Sequence, residues 1–126
     1  MQSLTLLVLD GTYAICRLEK GSTMPDWAFT GEFYSIMRTQ DELSVVCLQK
    51  AVPEGVRFNG GWKSLKAEGP LDFSMTGVLA SLAVPLANAG VSIFALSTYD
   101  TDYILVKEYD LEKAIEALNG AGYNFI

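Results

Sequence analysis

The chain contains no histidine. That removes the commonest general base and the commonest metal-ligating side chain, and it makes a Ser–His or Cys–His dyad within one chain impossible. Cysteine is scarce. Cys16 and Cys47 are far apart in sequence, each within an apolar run, and neither has Cys-x-x-Cys spacing. They read as buried free thiols rather than a zinc or redox pair, which fits a reduced, cytoplasmic setting. Positive charge is also scarce. Nine Lys and Arg stand against fifteen Asp and Glu, for a net charge of −6. Such a chain is a poor match to a phosphate backbone, so nucleic acid is not an expected partner. Long apolar runs are missing. A stretch such as Leu6 to Leu9 is far below the roughly 20 residues a membrane helix needs, and the N-terminus shows no basic segment followed by a long apolar one, so no secretion signal is expected. Asn59-Gly60-Gly61 lacks the lysine and the glycine spacing of a phosphate-binding loop and reads as a turn. The carboxylates form no pair suited to acid–base work. Glu32, Asp41, Glu42, Asp100, Asp102, Glu108 and Asp110 fall near turns or helix starts, where capping and solvation explain them. The expectation is a protein without a catalytic centre, a metal or a cofactor.

What is present is a core. The chain has 126 residues, half of them hydrophobic, enough for one ordinary domain or two very small ones. The C-terminal half is the more regular. Trp62 to Glu68 alternates like a strand and ends at Gly69-Pro70. From Met75 to Ala89, Leu79, Leu82, Ala83 and Leu86 follow helical spacing, with Asp72 or Ser74 as a cap and Gly90 as the stop. Pro85 lies inside that helix, removes its bond to Ser81 and is expected to kink or restart it. Val91 to Ser97 and Tyr103 to Val106 read as strands of a hairpin. Asp110 caps a second helix striped by Leu111, Ala114, Ile115 and Leu118, ended by Gly120 and Gly122, with a last short strand over Tyr123 to Ile126. The order β-α-β-β-α-β over residues 61–126 is that of a ferredoxin-like unit.

The N-terminal half is more β-rich. Leu4 to Leu9, a turn at Asp10-Gly11, and Tyr13 to Leu18 read as strand, turn and strand. Pro25 to Phe29 reads as one short helix. Phe33 to Arg38 and Leu43 to Leu48 flank Thr39-Gln40-Asp41-Glu42 as a second hairpin, which mirrors the later one and points to a degenerate copy of the same unit. Ala51 to Gly61, with Pro53, Gly55, Gly60 and Gly61, reads as the linker.

One segment stands out. Ser97-Thr98-Tyr99-Asp100-Thr101-Asp102 packs hydroxyls and carboxylates into the knot between two apolar strands. An Asp-rich hairpin turn explains it in part. Two further segments join it in a ferredoxin-like unit. The loop Gly69 to Ser74 precedes a helix, whose N-terminal amides can hold a carboxylate. Gly90 to Ile93 opens a strand whose backbone is free to pair. Together they suit a zwitterion carrying one carboxylate and one ammonium.

The run Gly69 to Gly77, then Pro85-Leu86-Ala87, then Ser97 to Val106, resembles the ACT domain. More narrowly it is similar to the branch shared by small bacterial tandem-ACT proteins, the regulatory part of aspartate kinases, and Castor-type arginine sensors. Phe33 to Thr39 with Asp41 to Val46 resembles the first, degenerate unit of that branch, so the resemblance covers nearly the whole chain. It implies an α+β protein of two ferredoxin-like ACT units, residues 1–60 degenerate and 61–126 complete. It implies non-catalytic, regulatory binding of a free amino acid at an interface between units. Ser92 and Ile93 would hold the ligand's backbone. Thr98, Tyr99 and Asp102, with Leu71, Asp72, Phe73 and Ser74 from the loop before the helix, would come from the partner unit. Asp102 would face a basic side chain or an ammonium. Because the chain is half the length of the four-unit sensors, rebuilding that interface requires a homodimer, and the apolar strand Val91 to Ser97 offers an edge for it. The competing expectation is a structural or interaction module of the same fold that binds no ligand.

Overall fold

The computed structural model describes residues 4–68 and 77–126. In chain order the elements are β1 (Thr5–Val8), β2 (Tyr13–Glu19), β3 (Ser35–Arg38), β4 (Glu42–Leu48), β5 (Arg57–Ala67), α1 (Val78–Asn88), β6 (Ile93–Ser97), β7 (Asp102–Lys107), α2 (Leu111–Gly120) and β8 (Asn124–Phe125). Single 3-10 turns occupy Asp26–Ala28, Gln49–Ala51 and Glu108–Asp110. The fold is α+β. Its two compact units are residues 11–62 and residues 1–10 with 63–126. This division differs from a cut after residue 60, because β1 belongs with the C-terminal strands. It pairs antiparallel with β5 (Leu6 with Ala67, Val8 with Leu65) and parallel with β8.

Within the unit holding the helices, β6 pairs β7, β7 pairs β5, and β1 stands between β5 and β8. Removing β1 from that order leaves the 2-3-1-4 arrangement of a βαββαβ unit, as the sequence order predicts. The core lies between strands and helices, with Leu6, Leu65, Leu82, Leu86, Val106 and Leu118 fully buried. Both helices end the same way. Gly90 (φ 77°) follows α1 and Gly122 (φ 101°) follows α2. Val91 N–H donates to the Leu86 carbonyl at 2.9 Å, and Tyr123 N–H to the Leu118 carbonyl at 3.0 Å. These are Schellman caps, in which glycine takes the left-handed residue and the next apolar side chain turns back to the core.

Pro85 does not break α1, which runs unbroken from Val78 to Asn88. The carbonyl that Pro85 leaves without its helical donor is that of Ser81. The buried Tyr123 hydroxyl donates to it at 3.2 Å, so a tertiary bond replaces the helical one. The expected helix caps Asp72 and Ser74 lie outside the described residues. Asp110 is the residue before α2, but its side chain makes no cap hydrogen bond. Its carboxylate instead lies 3.6 Å from Lys113 Nζ.

The other unit repeats the same strand order. β3 pairs β4, β4 pairs β2, and β2 pairs the first half of β5, again 2-3-1-4. Here each helix is reduced to one 3-10 turn. The turn Gln49–Ala51 follows β4 directly, but Pro53 comes two residues later, and Val52 before it is extended at φ −75°, ψ 121°, as a residue preceding proline prefers. The turn at Asp10-Gly11 does not close a hairpin. β1 and β2 pair with opposite halves of β5 rather than with each other. The expected linker from Ala51 to Gly61 is likewise part strand, since β5 begins at Arg57. Glycine pairs misled there. Gln49 Oε1 accepts from Gly61 N–H at 2.7 Å, and a Cβ at Gly60 would meet that same oxygen at 2.5 Å, so Gly60 permits a close approach inside a strand, while Gly61 takes a left-handed φ of 77°.

Cys16 and Cys47 are both buried and free. They lie diagonally across β2 and β4, since Cys16 opposes Val45 and Cys47 opposes Ala14. Burial first, and then the neighbouring Cys47, push the Cys16 thiol up to about 12. Burial also raises the Cys47 thiol, while its hydrogen bond with Cys16 works against that. Both are held as neutral thiols at neutral pH, which makes them poor nucleophiles.

Candidate functional site

The hairpin β6–β7 carries the site. Its register pairs Ile93 with Val106 at one end and Ser97 with Asp102 at the other. The link between them is closed by threonine. Thr98 N–H donates to the Thr101 carbonyl at 2.8 Å, and Thr101 N–H donates back to Thr98 Oγ1 at 3.2 Å. Thr98 thus shapes the turn with its hydroxyl, and Tyr99 is left at the tip, 79% exposed. Asp102 is half-buried. Ser97 Oγ donates to Asp102 Oδ1 at 2.6 Å, the short distance of a charge-assisted bond.

Thr101 is the buried member of the knot. Its hydroxyl donates to the Ala67 carbonyl at the end of β5, which ties the hairpin tip to the strand that leads into residues 69–76. Leu71, Asp72, Phe73 and Ser74 lie outside the described residues.

Ser92 and Ile93 sit at the far end of β6. Ser92 is exposed, and Ile93 is half-buried against the helix-side core. Five residues of strand separate Ser92 from Ser97, about 16 Å at a strand rise of roughly 3.3 Å per residue. One chain therefore does not bring Ser92 and Ile93 together with Thr98, Tyr99 and Asp102. β6 pairs only with β7 among the described residues, so among them its other side carries no strand.

Ser97 and Thr101 belong to the polar knot but were not among the expected site residues. Ser97 is the cross-strand partner of Asp102, and Thr101 is buried with its hydroxyl on the Ala67 carbonyl. Counting back from the turn would have found Ser97, but nothing in the sequence indicates that Thr101 reaches Ala67. Among the described residues no three Cys, Asp or Glu side chains gather as a metal site, and no helix is long and apolar enough to cross a membrane.

The strand orders define two units of the ferredoxin-like type, one complete and one with its helices reduced to single 3-10 turns. The family model for the ACT domain matches residues 57–120, and the chain belongs to the ACT domain family. A second family model, for an N-terminal domain, matches residues 11–55. A crystal structure of an Agrobacterium tumefaciens protein superposes with a TM-score of 0.95 at 42% identity, covering 100% of this chain and 94% of that one. The human cytosolic arginine sensor for mTORC1 subunit 1 is 38% identical over 94 residues, which is 68% of this chain but 29% of the sensor. The chain thus matches under a third of that relative's length. The regulatory subunit of aspartate kinase from Thermus flavus shares the fold, with a TM-score of 0.67 at 12% identity, covering 95% of this chain and 99% of that one.

Proposed function

We propose that this protein is a non-catalytic regulatory ACT protein of the cytoplasm. It binds a free amino acid between two copies of the chain. The observation that carries the reading is the geometry of β6. Its two candidate segments lie at opposite ends of one edge strand. Antiparallel pairing of β6 with β6 of a second copy, centred on Ala95, sets Ile93 of one copy opposite Ser97 of the other. Ser92 and Ile93 then meet Thr98, Tyr99 and Asp102 across the two-fold axis, twice per dimer. Strand addition at a free edge supplies the backbone pairing.

The roles follow from the chemistry. Backbone groups at Ser92 and Ile93 take the ligand's own backbone. The Asp102 carboxylate takes a cationic nitrogen. Leu71 to Ser74, just before α1, are assigned to the ligand's carboxylate. The relation to an arginine sensor supports a basic amino acid as ligand. The two units, residues 1–60 degenerate and 61–126 complete, remain the proposed functional division, with β1 lent to the second.

A thermal-shift screen of the twenty amino acids tests the reading. A ligand at 100 times its dissociation constant stabilises by about 2.7 kcal/mol. Sedimentation tests the assembly, with a dimer expected at micromolar concentration. No shift with any amino acid favours a structural or interaction module without a ligand. A 13.7 kDa species alone, with and without amino acids, removes the two-copy site.

A further inference from the structure

Ser97 stands directly across from Asp102 in the last residue pair of the β6–β7 hairpin. Its hydroxyl has one proton, and that proton is committed to Asp102 Oδ1 at 2.6 Å. A carboxylate at a hairpin end otherwise samples several rotamers. A short hydrogen bond from Ser97 selects one. The remaining face of the pair is Asp102 Oδ2 and the lone pairs of Ser97 Oγ, all of them acceptors.

We propose that Ser97 is a positioning residue that fixes the Asp102 carboxylate before the ligand arrives, so that the pair accepts a cationic nitrogen and rejects a carboxylate side chain. The inference rests on the amino-acid-binding reading above and deepens it. Because the Ser97 hydroxyl is committed to Asp102, the role assigned to it is to hold that carboxylate. Its effect should vanish when Asp102 no longer carries a charge. A serine that merely supports the fold would show no such dependence.

Calorimetry on the intact protein tests this with L-arginine, L-lysine and L-glutamate as probes. The proteins are the wild type, Ser97→Ala, Ser97→Thr, Asp102→Asn and the Ser97→Ala/Asp102→Asn double variant. Expected are binding of at least one basic probe and none of L-glutamate. Ser97→Ala should weaken the basic probe about tenfold, the scale of one hydrogen bond to a charged group. Ser97→Thr, which keeps the hydroxyl, should return to within about threefold of wild type. In the Asp102→Asn background, Ser97→Ala should change affinity by less than about twofold. If Asp102→Asn weakens binding and Ser97→Ala does not, this inference fails and the ligand site stands. The same loss from Ser97→Ala in both backgrounds also overturns it, as does binding of L-glutamate at this site. Failure of both basic probes to bind the wild type overturns the inference, while a shift with another amino acid in the twenty-member screen still leaves the broader reading in place.

Discussion

The hairpins β3–β4 and β6–β7 occupy the same place in their two units and close with the same turn. Thr39 N–H donates to the Glu42 carbonyl at 2.9 Å, as Thr98 does to Thr101 at 2.8 Å. Thr39 Oγ1 accepts from Glu42 N–H, and Thr98 Oγ1 accepts from Thr101 N–H. The pair flanking the first turn is Arg38 with Leu43, and the pair flanking the second is Ser97 with Asp102. There the likeness ends. Leu43 is wholly buried in its unit's core, and Arg38 Nη2 donates to the Ser22 carbonyl at 2.7 Å. One hairpin end has been turned inward and used for folding. Its counterpart keeps a carboxylate at the surface with a hydroxyl to hold it. Two copies of one supersecondary unit therefore differ in a single residue pair, with an apolar side chain packed into the core in one and a carboxylate left at the surface in the other.

The largest effect expected from this comparison comes from separating the units. Residues 61–126 expressed alone lose β1, which lies between β5 and β8, and with it the core residues Leu4 and Leu6. A 66-residue fragment with an incomplete sheet is marginal at best. It should show no cooperative melt under conditions where the full chain melts sharply. A sharp transition near the full-length midpoint would make β1 dispensable and the division at residue 60 a true domain boundary.

Exchanging the turn-flanking residues should show the next largest effect. Leu43→Asp places a carboxylate in the core of residues 11–62 with no partner, and should cost more than about 3 kcal/mol of stability in denaturant titration. The reciprocal change, Asp102→Leu, should leave stability within about 1 kcal/mol of wild type and abolish binding of a basic amino acid. Equal destabilisation by both would mean that the two hairpin ends are packed alike.

Much of this contrast was legible in the sequence, and the parts that were not have physical causes. The complete unit could be read because its helices carry long apolar stripes and end at glycines, and because its strands are separated by clear turns. The hairpins could be paired because each sets a short polar turn between two apolar strands, while the matching roles of Thr39 and Thr98 appear only in the hydrogen bonds. The role of β1 could not be read. Leu4 to Leu9 followed by Asp10-Gly11 has the local form of a hairpin arm, and only long-range pairing with β5 and β8 decides otherwise. β5 was foreshortened for the same reason, since Gly60 and Gly61 imitate a linker while pairing with β2 through Asn59 and Trp62 on either side keeps them within a strand. At the site, Asp102 was visible as a carboxylate closing a polar knot. The separation of Ser92 from Thr98 was legible once Val91 to Ser97 was read as one strand, whereas the pairing of Ser97 with Asp102 became plain only with the register.

A smaller effect is expected from Asp102→Asn, which keeps the shape and removes the charge. Loss of a charge-assisted bond to a ligand cation should cost about 1.5–3 kcal/mol of binding, roughly ten- to more than hundredfold in affinity. The melting temperature without ligand should move by no more than about two degrees. A lower melting temperature with unchanged affinity would mean that Asp102, like Leu43, serves the fold.

The smallest effect concerns the thiols, which belong only to the unit of residues 11–62. In the folded chain the Cys16 thiol is pushed from 9.0 up to about 12. Its folded value lies above its unfolded one, so the unfolded chain releases the proton first. The stability linked to that proton is fully present below about pH 9 and is lost as pH rises towards 12. One unit above the unfolded value, the loss is about 1.4 kcal/mol. Denaturant titrations between about pH 8 and pH 10 should therefore show the wild type losing more stability than Cys16→Ala by about that amount, whatever cost in packing the substitution itself carries. Parallel curves for the two proteins would show that Cys16 ionises as readily in the folded chain as in the unfolded one. The core of the degenerate unit would then be open to water, and the contrast between a hairpin end packed into its core and one left at the surface would lose its first half.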